Sequence, residues 1–246
     1  MKQPGYKPRT YREWSKDKDL VSFEVVVKET DLYIRARRVL RKKALDEVLK
    51  QRAALESYIA RHPGFLTALG AFAVGADAPR IVREMAEASA KVGVGPMAAV
   101  AGAIAEAVGR ELLNYTPEVI VENGGDIFTR QEKARLIGIY AGDSPLTGRL
   151  AIKIEPRDTP LGVCTSSGTV GHSLSFGAAD AAIILSPSAA LADAAATAVG
   201  NLVKTAEDMP RAIEFVKDVE GITGIAVIKG DRMAVWGKIN LVRSTA

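Results

Sequence analysis

Residues 164–200 constrain the fold more than any other stretch, because three elements of different character follow one another there without a gap. A loop rich in hydroxyl groups and glycine comes first. Ala181-Ala-Ile-Ile-Leu185 follows, short, apolar and stopped by Ser186-Pro187, which fits a buried strand better than a helix of useful length. A helix of small residues then runs over about 188–204, with Asp193 and Thr197 four positions apart. That spacing sets a carboxylate and a hydroxyl on one helix face. The rest of the chain reads as support for this stretch.

With 246 residues and 48% hydrophobic side chains, the chain can bury the core of one large domain or of two small fused ones. The most apolar run, 92–109, is interrupted by two early glycines, Pro96 and Glu106 and is rich in alanine, so it reads as a buried helix and no membrane span is expected. The first 19 residues are polar and basic, without the apolar segment of a secretion signal. A single cysteine excludes an internal disulfide, and both features point to the cytoplasm. The net charge of +4 originates within residues 1–53, where 15 Lys and Arg face 8 Asp and Glu. A nucleic-acid arm is one reading of that excess. A solvated tail and helix face is preferred, because the cations match no nucleic-acid-binding module. A homo-oligomer contact or an acidic small ligand is also compatible with it.

An irregular arm is expected over 1–19. Phe23, Val25 and Val27, then Leu32, Ile34 and Ala36, alternate with their neighbours and predict two antiparallel strands with a tight turn near Thr30-Asp31. Helical spacing runs from Leu45 to Ile59 and ends at Pro63-Gly64, a second helix starts behind Asp77 and Pro79, and Gly93-Val-Gly95-Pro96 opens a long alanine-rich third. Val119-Ile-Val121 reads as a strand ending in Asn123-Gly124-Gly125-Asp126, with 134–140 as its neighbour. From residue 150 the pattern begins again: strands over 150–155 and 161–165, the 164–200 stretch, a helix at Pro210, and strands over 222–228 and 233–235. Two halves, about 20–145 and 146–246, thus each read strand-strand, helix-helix, strand-strand within one α+β domain.

Four short motifs stand in an order that resembles ApbE-like proteins, the flavin transferases that attach FMN from FAD to a protein threonine or serine. Asn123-Gly124-Gly125-Asp126 is similar to that family's glycine turn, and Thr165-Ser166-Ser167-Gly168 to its threonine-serine-glycine loop, with His172 soon after. Ala192-Asp193-Ala-Ala-Ala-Thr197-Ala198 resembles the helix that supplies magnesium ligands in the transferases, and Gly102-Ala103-Ile104-Ala105 the start of an earlier glycine-x-x-alanine segment. The N-terminal part looks closer to an uncharacterised cytoplasmic branch of the superfamily. The resemblance implies a duplicated T-fold of two ββααββ halves. The chain departs from the transferases twice: Glu106 stands where they carry lysine, and 173–180 replaces their aspartate-proline segment. Flavin transfer of their kind is therefore not expected.

Asp193 and Thr197 present hard oxygen donors of the type magnesium accepts while keeping waters and a ligand phosphate, or else an acidic first turn favoured by the helix dipole. Thr165, Ser166, Ser167 and Gly168 can aim N–H and O–H groups at a phosphate, or simply form a turn-rich connection. His172 is a candidate for ligand contact or proton movement near neutral pH, with a structural histidine as the alternative. Asn123 to Asp126 let a backbone approach a ligand or close a plain hairpin. Glu106, the only charged residue between Lys91 and Arg110, belongs either at a cavity as an acid–base group or in a pair with a cation, and the pair is favoured. The expected function is magnesium-assisted binding of a small phosphorylated ligand, a flavin or other nucleotide. An enzyme of this kind would be a transferase or hydrolase acting at a phosphate. The alternative is a non-catalytic assembly or partner-binding protein that keeps the fold.

Overall fold

Alternation over the first two strands is realised as a hairpin of β1 (Val21–Val27) and β2 (Thr30–Ala36). The structure is a computed structural model that describes Arg12 and residues 18–168 and 177–244. Four helices follow, α1 (Arg41–Arg61), α2 (Gly64–Thr67), α3 (Arg80–Val92) and α4 (Val100–Leu112). Next come β3 (Val119–Asn123), β4 (Asp126–Arg130), β5 (Arg135–Gly138), β6 (Leu150–Ile154), β7 (Leu161–Ser166) and β8 (Ala181–Ser186). Helices α5 (Ala189–Leu202) and α6 (Met209–Lys217) lead to β9 (Gly224–Lys229), β10 (Arg232–Gly237) and β11 (Leu241–Arg243).

Eight strands form one sheet in the order β1-β2-β3-β4-β7-β8-β9-β10, every neighbouring pair antiparallel. Helices cover one face. A three-stranded sheet, β11-β6-β5, covers part of the other. Strand β8 shows why the chain reads apolar there without alternation: Ala182 and Ile184 join the helix-side core, while Ala181, Ile183 and Leu185 meet Ile137, Ile152 and Ile154 of the small sheet. A strand buried on both faces has no polar side to display. Fully buried Ile184 and Ile225 each contribute about 1.5–3 kcal/mol by leaving water.

Hairpin, helices and hairpin occur over β1 to β4 and again over β7 to β10, the two sets lying side by side in one sheet. The α+β class holds, and the order is compatible with the duplicated T-fold that the resemblance implies. Several details differ from the sequence reading. The first turn is at Lys28-Glu29, because Val27 pairs with Thr30 and Lys28 takes the left-handed conformation at φ 53°. Strand β3 pairs with β2 on one side and with β4 on the other, β4 being too short and too polar at its ends to be read as a strand, whereas the segment containing β5 belongs to the small sheet. The second set of four starts at β7, since β6 also pairs within the small sheet. The first set holds three long helices and one short one between its hairpins, and the alanine-rich helix is preceded by a separate 3₁₀ turn, Pro96–Ala99. Arg12 lies on the outer sheet face, donating from Nε to Glu122 Oε2 at 2.8 Å; the rest of the segment expected as an irregular arm, apart from residues 18 and 19, lies outside the described residues.

Candidate functional site

The β3–β4 hairpin closes through Gly124 and Gly125, with Asn123 paired to Asp126. Both glycines have positive φ, 71° and 118°, which matches the twist of a two-residue hairpin turn and disfavours side chains. Asn123 and Asp126 are buried at the turn's base, and Asn123 Nδ2 donates to the Ala101 carbonyl at 3.1 Å. Ile127 pairs with Val163, so the turn lies beside the end of β7, and a Cβ built on Gly125 would have Thr165 O as its nearest neighbour, at 3.6 Å.

Thr165 and Ser166 are the last two residues of β7, half-buried and paired with Ile183 and Ala182. Gly168 N donates to Ala179 O at 2.9 Å, and its missing Cβ would strike Gly177 O at 2.3 Å, so only glycine permits this crossing of backbones. Ser166 Oγ lies 3.3 Å from the position of a Cβ on Gly200, which brings the last turns of α5 to the same place. His172 lies outside the described residues.

Asp193 projects from α5, held there by tight packing of its small-residue helix on β7, β8 and α4. Its Oδ2 accepts the Gly102 N–H at 2.9 Å, and the Ala101 N–H also bonds it, so it satisfies amides of the first turn of α4. Burial, and then the charge of Asp126, push its carboxyl well above the usual range, against those two amide bonds. Thr197 is half-buried one turn further along α5. Cys164, fully buried on β7, donates from Sγ to Ala189 O at 3.4 Å. Its thiol is raised by burial and by the charges of Asp126 and Asp193, with the Asp126 carboxyl in hydrogen-bond reach.

One end of the large sheet thus gathers Asn123, Gly124, Gly125 and Asp126, Thr165 to Gly168, Asp193 and the first amides of α4. Glu106 sits elsewhere along α4. Its Oε1 accepts from Arg110 Nη2 at 2.6 Å and Nε at 2.9 Å, and its Oε2 accepts the N–H of Ala189, the first residue of α5, at 2.6 Å. The cation pair favoured on physical grounds is the arrangement found. The residues the sequence reading missed at the site are Cys164 and the Ala101 and Gly102 amides, whose part arises from elements that meet only in the fold. Among the described residues, no group of three or more His, Cys, Asp or Glu side chains could hold a metal ion by itself. No single helix among them is long and apolar enough to cross a membrane.

A family model described as AbpE bacteria matches residues 12–226. The chain belongs to this ApbE-like family. A UPF0280 protein of Methanocella arvoryzae is 45% identical over 217 residues, 87% of each chain. The UPF0280 protein MJ1526 of Methanocaldococcus jannaschii is 42% identical over 221 residues, 87% of this chain and 90% of that one. Among solved structures, the apo flavinyl transferase ApbE of Pseudomonas stutzeri is similar with a TM-score of 0.59 at 14% identity, covering 89% of this chain and 94% of that one. A mutant flavin transferase ApbE of Vibrio cholerae gives 0.58 at 13%, covering 89% and 97%. At such identities the likeness is one of fold, and the ApbE-like fold is what this chain shares with them.

Proposed function

We propose that this ApbE-like protein binds a small phosphorylated ligand, a flavin or another nucleotide, together with magnesium. The observation that carries the reading is the convergence of the Asn123–Asp126 turn and Asp193 on the first turn of α4, through Asn123 Nδ2 to Ala101 O at 3.1 Å and Gly102 N to Asp193 Oδ2 at 2.9 Å, with the Asp126 and Asp193 carboxylates both buried at the sheet end where hydroxyl side chains also lie. Each of two neighbouring buried carboxylates raises the other's need for a proton or a cation. Asp193 and Thr197 would hold the ion, and the donor set fits one that retains waters and shares a ligand phosphate. Thr165, Ser166, Ser167 and Gly168 would donate to phosphate oxygens, and Asn123 to Asp126 would let the backbone approach the ligand. His172 belongs to the proposal as a group able to move a proton near neutral pH. The proposed reaction class is transfer or cleavage at a phosphate. A cytoplasmic location is part of the same reading, supported by a lone cysteine that is buried and free.

Native mass spectrometry of freshly purified protein, followed by calorimetry with FAD, FMN or ATP with and without magnesium, tests it. A retained flavin or nucleotide, or magnesium-dependent affinity lost in Asp193→Ala, is the expected result. Absence of binding to all three with magnesium present would sink the reading. Chromatography of FAD after incubation separates binding alone from cleavage.

A further inference from the structure

Helices α4 and α5 cap each other. Asp193 of α5 accepts the N–H of Gly102, the third residue of α4, at 2.9 Å, while Glu106 of α4 accepts the N–H of Ala189, the first residue of α5, at 2.6 Å. Each capping carboxylate stands four residues beyond the amide that its own helix presents: Glu106 beyond Gly102, and Asp193 beyond Ala189. Passing along α4 from Gly102 to Glu106 therefore runs back along α5 from Asp193 to Ala189. The opening amides of a helix have no partner within it, so each bond satisfies a group that burial would otherwise leave unpaired. The crossing is close. A Cβ on Gly102 would lie 2.2 Å from Ala189 O and 2.9 Å from Asp193 Cβ. Arg110 fixes the Glu106 carboxylate through two bonds to Oε1, which leaves Oε2 for Ala189.

We propose that Glu106 is a positioning residue that fixes α5 against α4 through the Ala189 amide and thereby sets Asp193, one turn further on, for the ligand. This rests on the reading of Asp193 as part of a magnesium and phosphate site. The role requires an acceptor oxygen at the end of a side chain of this length and no transfer of a proton. Glutamine supplies that oxygen to Ala189, while its NH2 then stands where Oε1 accepted from Arg110, so the anchor to Arg110 is lost and the cap is kept. Alanine leaves the Ala189 amide without it, and a lysine would set a cation against the positive end of α5.

Glu106→Gln and Glu106→Ala in the whole chain test the proposal by amide hydrogen exchange and by calorimetry of magnesium with FAD. In the alanine variant, exchange accelerates at Ala189 and also at Gly102, whose own cap is unaltered, and affinity falls about tenfold, as for the loss of a group that orients a metal ligand. The glutamine variant, which keeps the cap and loses the bonds to Arg110, exchanges more slowly than the alanine variant at both amides and binds more tightly than it, and the pH profile of its binding matches the wild type. Should the alanine variant prove too unstable to purify, Glu106→Asp, one methylene short, is measured with the same expected direction. Equal damage from glutamine and alanine overturns the proposal, because an acceptor for the Ala189 amide would then count for nothing. Faster exchange at Ala189 with none at Gly102 also overturns it, leaving a local cap only. A wild type that binds neither magnesium nor FAD defeats the ligand reading and the positioning of a ligand together, whereas exchange still decides the reciprocal caps.

Discussion

Asp193 is a carboxylate in a place that disfavours its charge. In the folded protein its pKa lies well above the ordinary 3.8, through burial first and Asp126 second. The folded state therefore keeps a proton that the unfolded chain has released, and stability declines as pH rises from 3.8 through the folded value. In metal-free protein Asp193→Asn removes that penalty while keeping an oxygen for the Gly102 amide. Thermal scans in EDTA should show the variant gaining on the wild type, more at pH 8 than at pH 5, with about 2–4 °C for each kcal/mol relieved. Added magnesium should then stabilise only the wild type. Cys164 gives a second expectation at this scale: a fully buried thiol with a raised pKa should resist alkylation by iodoacetamide at pH 8 until the chain is unfolded, as counted by mass. The helical spacing of Asp193 and Thr197 made them legible in the sequence. Cys164 was not, since its surroundings are supplied by side chains from β4 and α5.

The crossing of α4 and α5 depends on the absence of a side chain at Gly102. A methyl group there would meet Ala189 O at 2.2 Å, and that atom is backbone, so the helices must part. Gly102→Ala should lower stability by about 1–3 kcal/mol in urea titrations and weaken magnesium-dependent binding, because the same movement draws Asp193 from its amide. At the β3–β4 turn the obstacle is conformational. Gly125 has 3.6 Å of room but φ 118°, so Gly125→Ala should destabilise by about 1–3 kcal/mol through backbone strain. Elements with an unbroken period, such as α1 and the first hairpin, could be read directly. Strand β4 could not, because Ile127-Phe-Thr129 between Asp126 and Arg130 is too short to display alternation, and its place is fixed by β3 and β7 on either side. The segment containing β5 has the composition of a strand, but nothing local to it states which sheet it joins.

Three layers need joints, and one joint is ionic. Glu118, fully buried just before β3, accepts from Arg135 Nε at 2.9 Å and pairs with Arg37 of the connection behind β2 at 3.1 Å. Arg135, at the start of β5 and only 5% exposed, also bonds Asp19 at 2.7 Å, so the large sheet, the small sheet and the segment just before β1 meet in one network. Asp19 is held well below its ordinary 3.8 by Arg135 and then Lys133. A lowered folded pKa adds stability that is complete above 3.8 and lost only as pH falls through the folded value, so mild acidification to pH 5 should leave this joint intact. Removing Glu118 is different, because the Arg135 guanidinium stays buried beside a vacated partner. Glu118→Ala should cost about 3–5 kcal/mol, whereas Glu118→Leu combined with Arg135→Met, which removes both charges and keeps the bulk, should recover much of the loss. Urea unfolding of Glu118→Leu, Arg135→Met and the double variant closes the cycle. If the double variant were as unstable as the sum of the singles, the pair would not be the joint between the sheets, and the apolar contacts of Ile137, Ile152 and Ile154 with β7, β8 and β9 would hold the small sheet by themselves.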